Sequence, residues 1–89
     1  MFVEYHEAAF AHQVAQADIE SALRTQFFEK PATDGSYLAI GFNRAGNPLE
    51  VAYREIDDDY IFVFHAMPCR QKWLIAAAYE GENYGEETD

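Results

Sequence analysis

Four consecutive β-formers, Ile61-Phe62-Val63-Phe64, constrain this chain more than any other stretch. Apolar side chains on both faces of a strand predict the central strand of a sheet, buried on both sides and spanning about residues 60–66. His65 stands where the apolar run ends, and Ala66-Met67-Pro68 turns the chain. A proline is tolerated in the first turn of a helix. A last helix over about 69–79 is predicted, with Trp73, Leu74, Ala77 and Ala78 inward. Arg70 and Lys72 fall in its first turn, so one short segment gathers an imidazole, two cations and the positive end of a helix dipole. Such an end attracts anions.

The hairpins before this strand are legible from alternation. Residues 37–43 place Leu38, Ile40 and Phe42 on one face, and residues 48–56 place Leu49, Val51 and Tyr53 opposite Glu50, Ala52 and Arg54. Asn43 to Asn47, with Gly46 available for positive φ, makes the turn between them. Asp57-Asp58-Asp59 is too polar to bury and makes the next turn. Phe27-Phe28-Glu29 reads as a short edge strand, and Lys30 to Gly35 as a loop. Toward the N-terminus, Val3, His6, Phe10 and Val14 recur at helical spacing among alanines, which predicts a first helix over 3–14. On that helix His12 would stand about 120° from His6. A second helix over 16–24 buries Ile19, Ala22 and Leu23. Asp18 and Glu20 suit its first turn and Arg24 its last, but Ala15 and Gln16 offer no side-chain cap. The expected fold is α+β: two N-terminal helices, a four-stranded antiparallel sheet and a C-terminal helix. Residues 1–79 form the domain, and residues 80–89 an acidic, solvated, flexible tail.

Charge narrows the partners. Of the net charge of −10, half lies in residues 80–89, with five acids and no base. The remainder is still acidic, so its field opposes nucleic acid at long range, and any RNA contact rests on a local cationic patch. No apolar run approaches the ~18 residues of a membrane helix, and Phe2-Val3 is followed by Glu4 rather than by a signal-peptide core. No membrane association is expected. The single Cys69 agrees with a reducing cytoplasm. Spacing gives no third metal ligand beside His65 and Cys69, and there is no glycine-rich phosphate loop, so no metal and no cofactor are expected.

The chemistry open to these residues is acid–base work on a phosphodiester. Metal-free RNA cleavage needs a base for the 2′-hydroxyl, an acid for the 5′-oxygen and a cation for the phosphorane. His65 suits either proton role, Arg70 offers a planar fork and Lys72 a point charge. Glu50, Tyr53 and Arg54 on the neighbouring strand are candidates for substrate binding. Strand parity lets Tyr53 or Arg54 face such a site, but not both. Each residue also has a plainer role. His65 can bond a backbone carbonyl, Arg70 and Lys72 can pair with Asp57–Asp59 or with the acidic tail, and Arg54 and Glu50 can be surface partners.

Two stretches resemble a known family. HEAAFAHQVAQADIESAL, His6 to Leu23, is similar to the opening helices of small toxins of the BrnT and RelE/ParE group. LAIGFNRAGNPLEVAY, within Leu38 to Trp73, resembles that group's glycine hairpin, and HAMPCRQKW falls where its members carry a strand end followed by basic residues. The resemblance spans about residues 5–79. It implies a RelE-like fold and the toxin half of a type II toxin–antitoxin pair acting as a metal-independent ribonuclease. It also implies an antitoxin protein and RNA as partners, with His65, Arg70 and Lys72 as the catalytic set. The chain departs from the group in its acidity, in Ala15 where a serine cap is expected, and in a last helix with no base after Lys72. The alternative function is a non-catalytic interaction module that keeps the fold without the chemistry. It would be a homodimer joined through the edge at Phe27–Glu29 or through residues 37–43.

Overall fold

The computed structural model describes the backbone of residues 1–87 and the side chains of residues 1–80. The elements are β1 (Phe2–Tyr5), a 3-10 turn (Glu7–Phe10), α1 (Gln16–Arg24), β2 (Phe28–Pro31), β3 (Tyr37–Phe42), β4 (Pro48–Asp57), β5 (Tyr60–Pro68) and α2 (Gln71–Glu87). One five-stranded sheet has the order β1-β5-β4-β3-β2. The class is α+β, but the expected four-stranded antiparallel sheet with two N-terminal helices is overturned, and with it the RelE-like arrangement. The sheet is mixed, because β1 runs parallel to β5, with Phe2 opposite Tyr60 and Tyr5 opposite Val63.

The correction has a physical cause. Phe2, Val3 and Tyr5 are good strand formers, and β5 would otherwise leave one edge of its backbone unpaired. Pairing with that edge outweighs the helical preference of Ala8, Ala9 and Ala11. The β1–β5 bonding continues past the strand, with the His6 amide donating to the Val63 carbonyl at 2.8 Å. His6 then starts the 3-10 turn, its Nδ1 accepting from the Ala8 amide at 3.0 Å. It caps a turn rather than extending a helical stripe.

The helix predicted over 16–24 is present as α1, and Ala15 makes no side-chain cap bond. Asp18, in its first turn, instead accepts from the Arg44 amide at 3.0 Å and from Arg44 Nε at 2.9 Å. That ties α1 to the β3–β4 turn. α1 and the 3-10 turn cover one face of the sheet, burying Ala9, Ile19, Ala22, Ala39, Leu49, Val51, Tyr53, Ile61, Val63 and Ala66 in one cluster. The helix lies so close to β3 that a Cβ on Gly41 would stand 1.9 Å from the Ala22 carbonyl oxygen. Only glycine fits there. Ser21, also buried, donates from Oγ to the Phe42 carbonyl at 2.8 Å and fastens the same contact.

β5 is flanked on both sides, but the central strand is β4 rather than β5, because β1 alone lies beyond β5. Ile61 and Val63 are buried against the helices, while Phe62 and Phe64 are half-buried on the other face. α2 continues past residue 79 to Glu87. Side chains from residue 81 onward, and residues 88 and 89 altogether, lie outside the described residues, and so does the solvated character expected of that segment. Among the described residues no helix is long and apolar enough to cross a membrane.

Candidate functional site

The site is made by a break in strand register. Val63 faces Tyr53, but His65 faces Ala52, so Phe64 is an extra residue on β5. A bulge of this kind reverses which side chains point to which face. Ile61 and Val63 lie on the helix face before it, and Ala66, opposite Val51, lies there after it. His65 is thereby turned to the open face. Without the bulge it would share the side of Val63, beneath the helices. Glu50 and Ala52 alternate with Leu49, Val51 and Tyr53 on β4, so they share that open face.

On it, Glu50 is the hub. Its carboxylate is fully buried. Oε2 lies 2.9 Å from His65 Nε2 and accepts from Arg70 Nη2 at 2.8 Å. Oε1 accepts from Arg70 Nε and from the Arg70 amide, both at 3.0 Å. Four donors on two oxygens satisfy a buried carboxylate. Burial alone would raise its pKa, but the Arg70 side chain, the Arg70 amide and His65 together hold it below the usual carboxylate range. The same bonds raise the Arg70 pKa above its ordinary value. Burial pushes the neighbouring Cys69 thiol up, and the Glu50 charge adds to this, so Cys69 is not primed as a nucleophile.

The protonation states follow. An ionised carboxylate can only accept, so His65 Nε2 carries a proton and, in the neutral ring, Nδ1 keeps its lone pair. Nδ1 has no protein partner among the described residues. Arg70 spends Nε and Nη2 on Glu50 and retains Nη1. His65 and Arg70 both line an open hollow of about 430 Å³ on this face, with Leu38, Ala52, Phe64 and Trp73 among its walls. The Trp73 indole N–H is buried with no acceptor among the described residues.

The other expected site residues are dispersed. Lys72 does not line the hollow, and its ammonium lies over the Trp73 ring, 5.0 Å from the centroid. Tyr53 is buried on the helix face, stacked with Tyr37 and donating to Glu29 Oε1 at 2.9 Å. Burial, with the Glu29 carboxylate beside it, raises its pKa well above the ordinary tyrosine value. Arg54 shares the open face but pairs with Asp34, donating to its carbonyl at 2.9 Å and to Oδ2 at 3.2 Å. Thus His65, Arg70 and Glu50 come together, while Lys72, Tyr53 and Arg54 do not join them. His12, read as standing apart on a helix, instead sits on the loop before α1, its ring 5.7 Å from that of His65. No pattern in the sequence signals that contact, since a loop residue has no periodicity. Among the described residues no group of His, Cys, Asp and Glu is arranged to hold a metal ion.

No family model, curated protein or solved structure matches the chain.

Proposed function

We propose that this chain is a toxin-like ribonuclease, the toxin half of a type II toxin–antitoxin pair, which cleaves RNA without a metal. The observation that carries this reading is the Glu50-bound imidazole of His65 beside the Arg70 guanidinium at the edge of an open hollow. The likeness of Leu38–Trp73 to small toxins agrees with it. His65 Nδ1 takes the proton of an attacking 2′-hydroxyl, and Glu50 stabilises the imidazolium that forms. Arg70 Nη1 holds a non-bridging phosphate oxygen. Glu50 is a positioning residue: its buried oxygens reach His65 and Arg70 rather than the substrate.

The test is RNA cleavage by purified protein in the presence of a chelator, with the ends of the products identified. Cleavage leaving 2′,3′-cyclic phosphates, abolished in His65→Ala at unchanged thermal midpoint, is the expected result. Intact RNA after treatment with the wild-type protein would remove the reading. Expression should also arrest growth, and a co-expressed partner should relieve it.

A second reading, a non-catalytic homodimer, is favoured by one specific feature. Phe27 and Phe42 stack at 5.1 Å beside the outer strand β2 and are 52% and 38% exposed. Light scattering separates the two readings. A stable dimer lost on Phe27→Ser, in a protein that leaves RNA intact, supports the module.

A further inference from the structure

The carboxylate-backed imidazole accounts for only one of the two proton transfers that the reaction requires. We infer that His12 supplies the other, as the general acid that protonates the departing 5′-oxygen; the inference rests on the ribonuclease reading.

Three observations place it there. The His12 and His65 rings meet edge to face at 79°, with centroids 5.7 Å apart, although the residues lie on separate elements. His12 is not among the walls of the hollow, but rings this close put both imidazoles within reach of one phosphate group. The chain is bent to bring them together: Gln13, next to His12, sits at φ 62, in the left-handed region that side-chain-bearing residues rarely occupy. The Gln13 amide holds the bend by donating to the Phe10 carbonyl at 3.1 Å. Strain of this kind is often retained where it positions a functional group. Finally, the two rings differ in their surroundings. His65 is half-buried and bonded to Glu50, whereas His12 is exposed and has no carboxylate partner among the described residues. The Glu50 carboxylate fixes the His65 ring in place, whereas the exposed His12 ring can meet the departing oxygen.

The step balances. The 2′-oxygen forms a bond to phosphorus as its proton passes to His65 Nδ1. The P–O5′ bond breaks, and its electron pair goes to O5′, which takes a proton from the His12 imidazolium. The products are a 2′,3′-cyclic phosphate and a 5′-hydroxyl. Exchange with solvent restores both rings, with no oxidant, reductant or metal.

The leaving group provides the test. A nucleoside alkoxide needs an acid to depart, and a nitrophenolate does not. His12→Gln and His65→Gln are assayed on an RNA dinucleotide and on a uridine 3′-nitrophenyl phosphate ester, with circular dichroism confirming the fold. The expected result is a fall on the order of 10²-fold for His12→Gln on the dinucleotide, with near wild-type rates on the ester. His65→Gln should be impaired on both. Wild-type rates for His12→Gln on the dinucleotide would overturn the inference and leave the ribonuclease reading standing. Equal impairment on both substrates would overturn the acid role in the same way. A wild-type protein that cleaves neither substrate would overturn the reading and the inference together.

Discussion

The two faces of the sheet are built on opposite plans. The covered face meets α1 and the 3-10 turn through apolar side chains, with one glycine at the tightest approach. The open face buries a carboxylate and draws a cation and an imidazole to it. On the first, stability comes from area removed from water and from close packing. On the second, a charged hub is kept although apolar packing would stabilise as well or better. That difference suggests what the open face is for: a buried, fully bonded carboxylate holds two side chains in fixed positions beside a space large enough for a ligand.

Gly41→Val should have the largest effect on folding. A side chain there meets the Ala22 backbone, which cannot rotate away, so a loss of at least about 3 kcal/mol is expected, read from the urea midpoint. Ile19→Ala, beneath α1, removes a side chain with no exposed surface and should cost about 2–5 kcal/mol by the same measurement. Glu50→Gln should destabilise less than Ile19→Ala, because the Arg70 charge and the His65 ring that it leaves still reach solvent. If the protein cleaves RNA as proposed, that cleavage should nevertheless fall on the order of 10²-fold. If Glu50→Gln unfolds the protein as readily as Gly41→Val, the open face is a structural core like the other.

Acid sharpens the contrast further. Glu50 has a folded-state pKa below its unfolded value, so the unfolded chain takes up its proton first as pH falls. The stability that Glu50 contributes is complete above the ordinary carboxylate range and is lost as pH drops through the lower folded value. Stability measured against pH should therefore fall less steeply on the acid side in Glu50→Gln than in the wild type. An unchanged acid limb would mean that Glu50 is not the group that titrates. The smallest effect is expected from Arg54→Ala. Its pair with Asp34 is exposed on both sides, so the thermal midpoint should not move measurably.

Much of this was legible where local pattern and tertiary partner agree. Alternation over Leu38–Phe42 and Leu49–Arg54 gave β3 and β4, the apolar run at Ile61–Phe64 gave β5, and the Ile19–Leu23 stripe gave α1. The first segment misled because Ala8, Ala9 and Ala11 favour a helix locally, whereas the free edge of β5 lies far away in sequence. Part of the site could be anticipated. A two-residue turn at Asp58-Asp59 lays Ala52 opposite His65, and so brings Glu50 near the strand end. Two register shifts, between Glu55 and Asp57 and between Ala52 and Tyr53, offset each other and preserve that pairing. The burial of Glu50 was not legible. A glutamate among alternating apolar residues reads as solvent-facing, and only the Arg70 fork, arriving from the start of α2, makes a buried carboxylate tolerable.

The parallel seam between β1 and β5 bears on kinetics. Phe2 meets Tyr60 only once the three intervening strands and α1 have been traversed, so this seam carries the greatest loop-closure entropy in the sheet. The hairpins β3–β4 and β4–β5 can zip from their own turns, whereas β1 has to wait for a finished docking edge. Refolding followed by pulse-labelled hydrogen exchange should accordingly protect the amides of β4 and β5 before those of β1, making the opening residues the last stitch in the fabric.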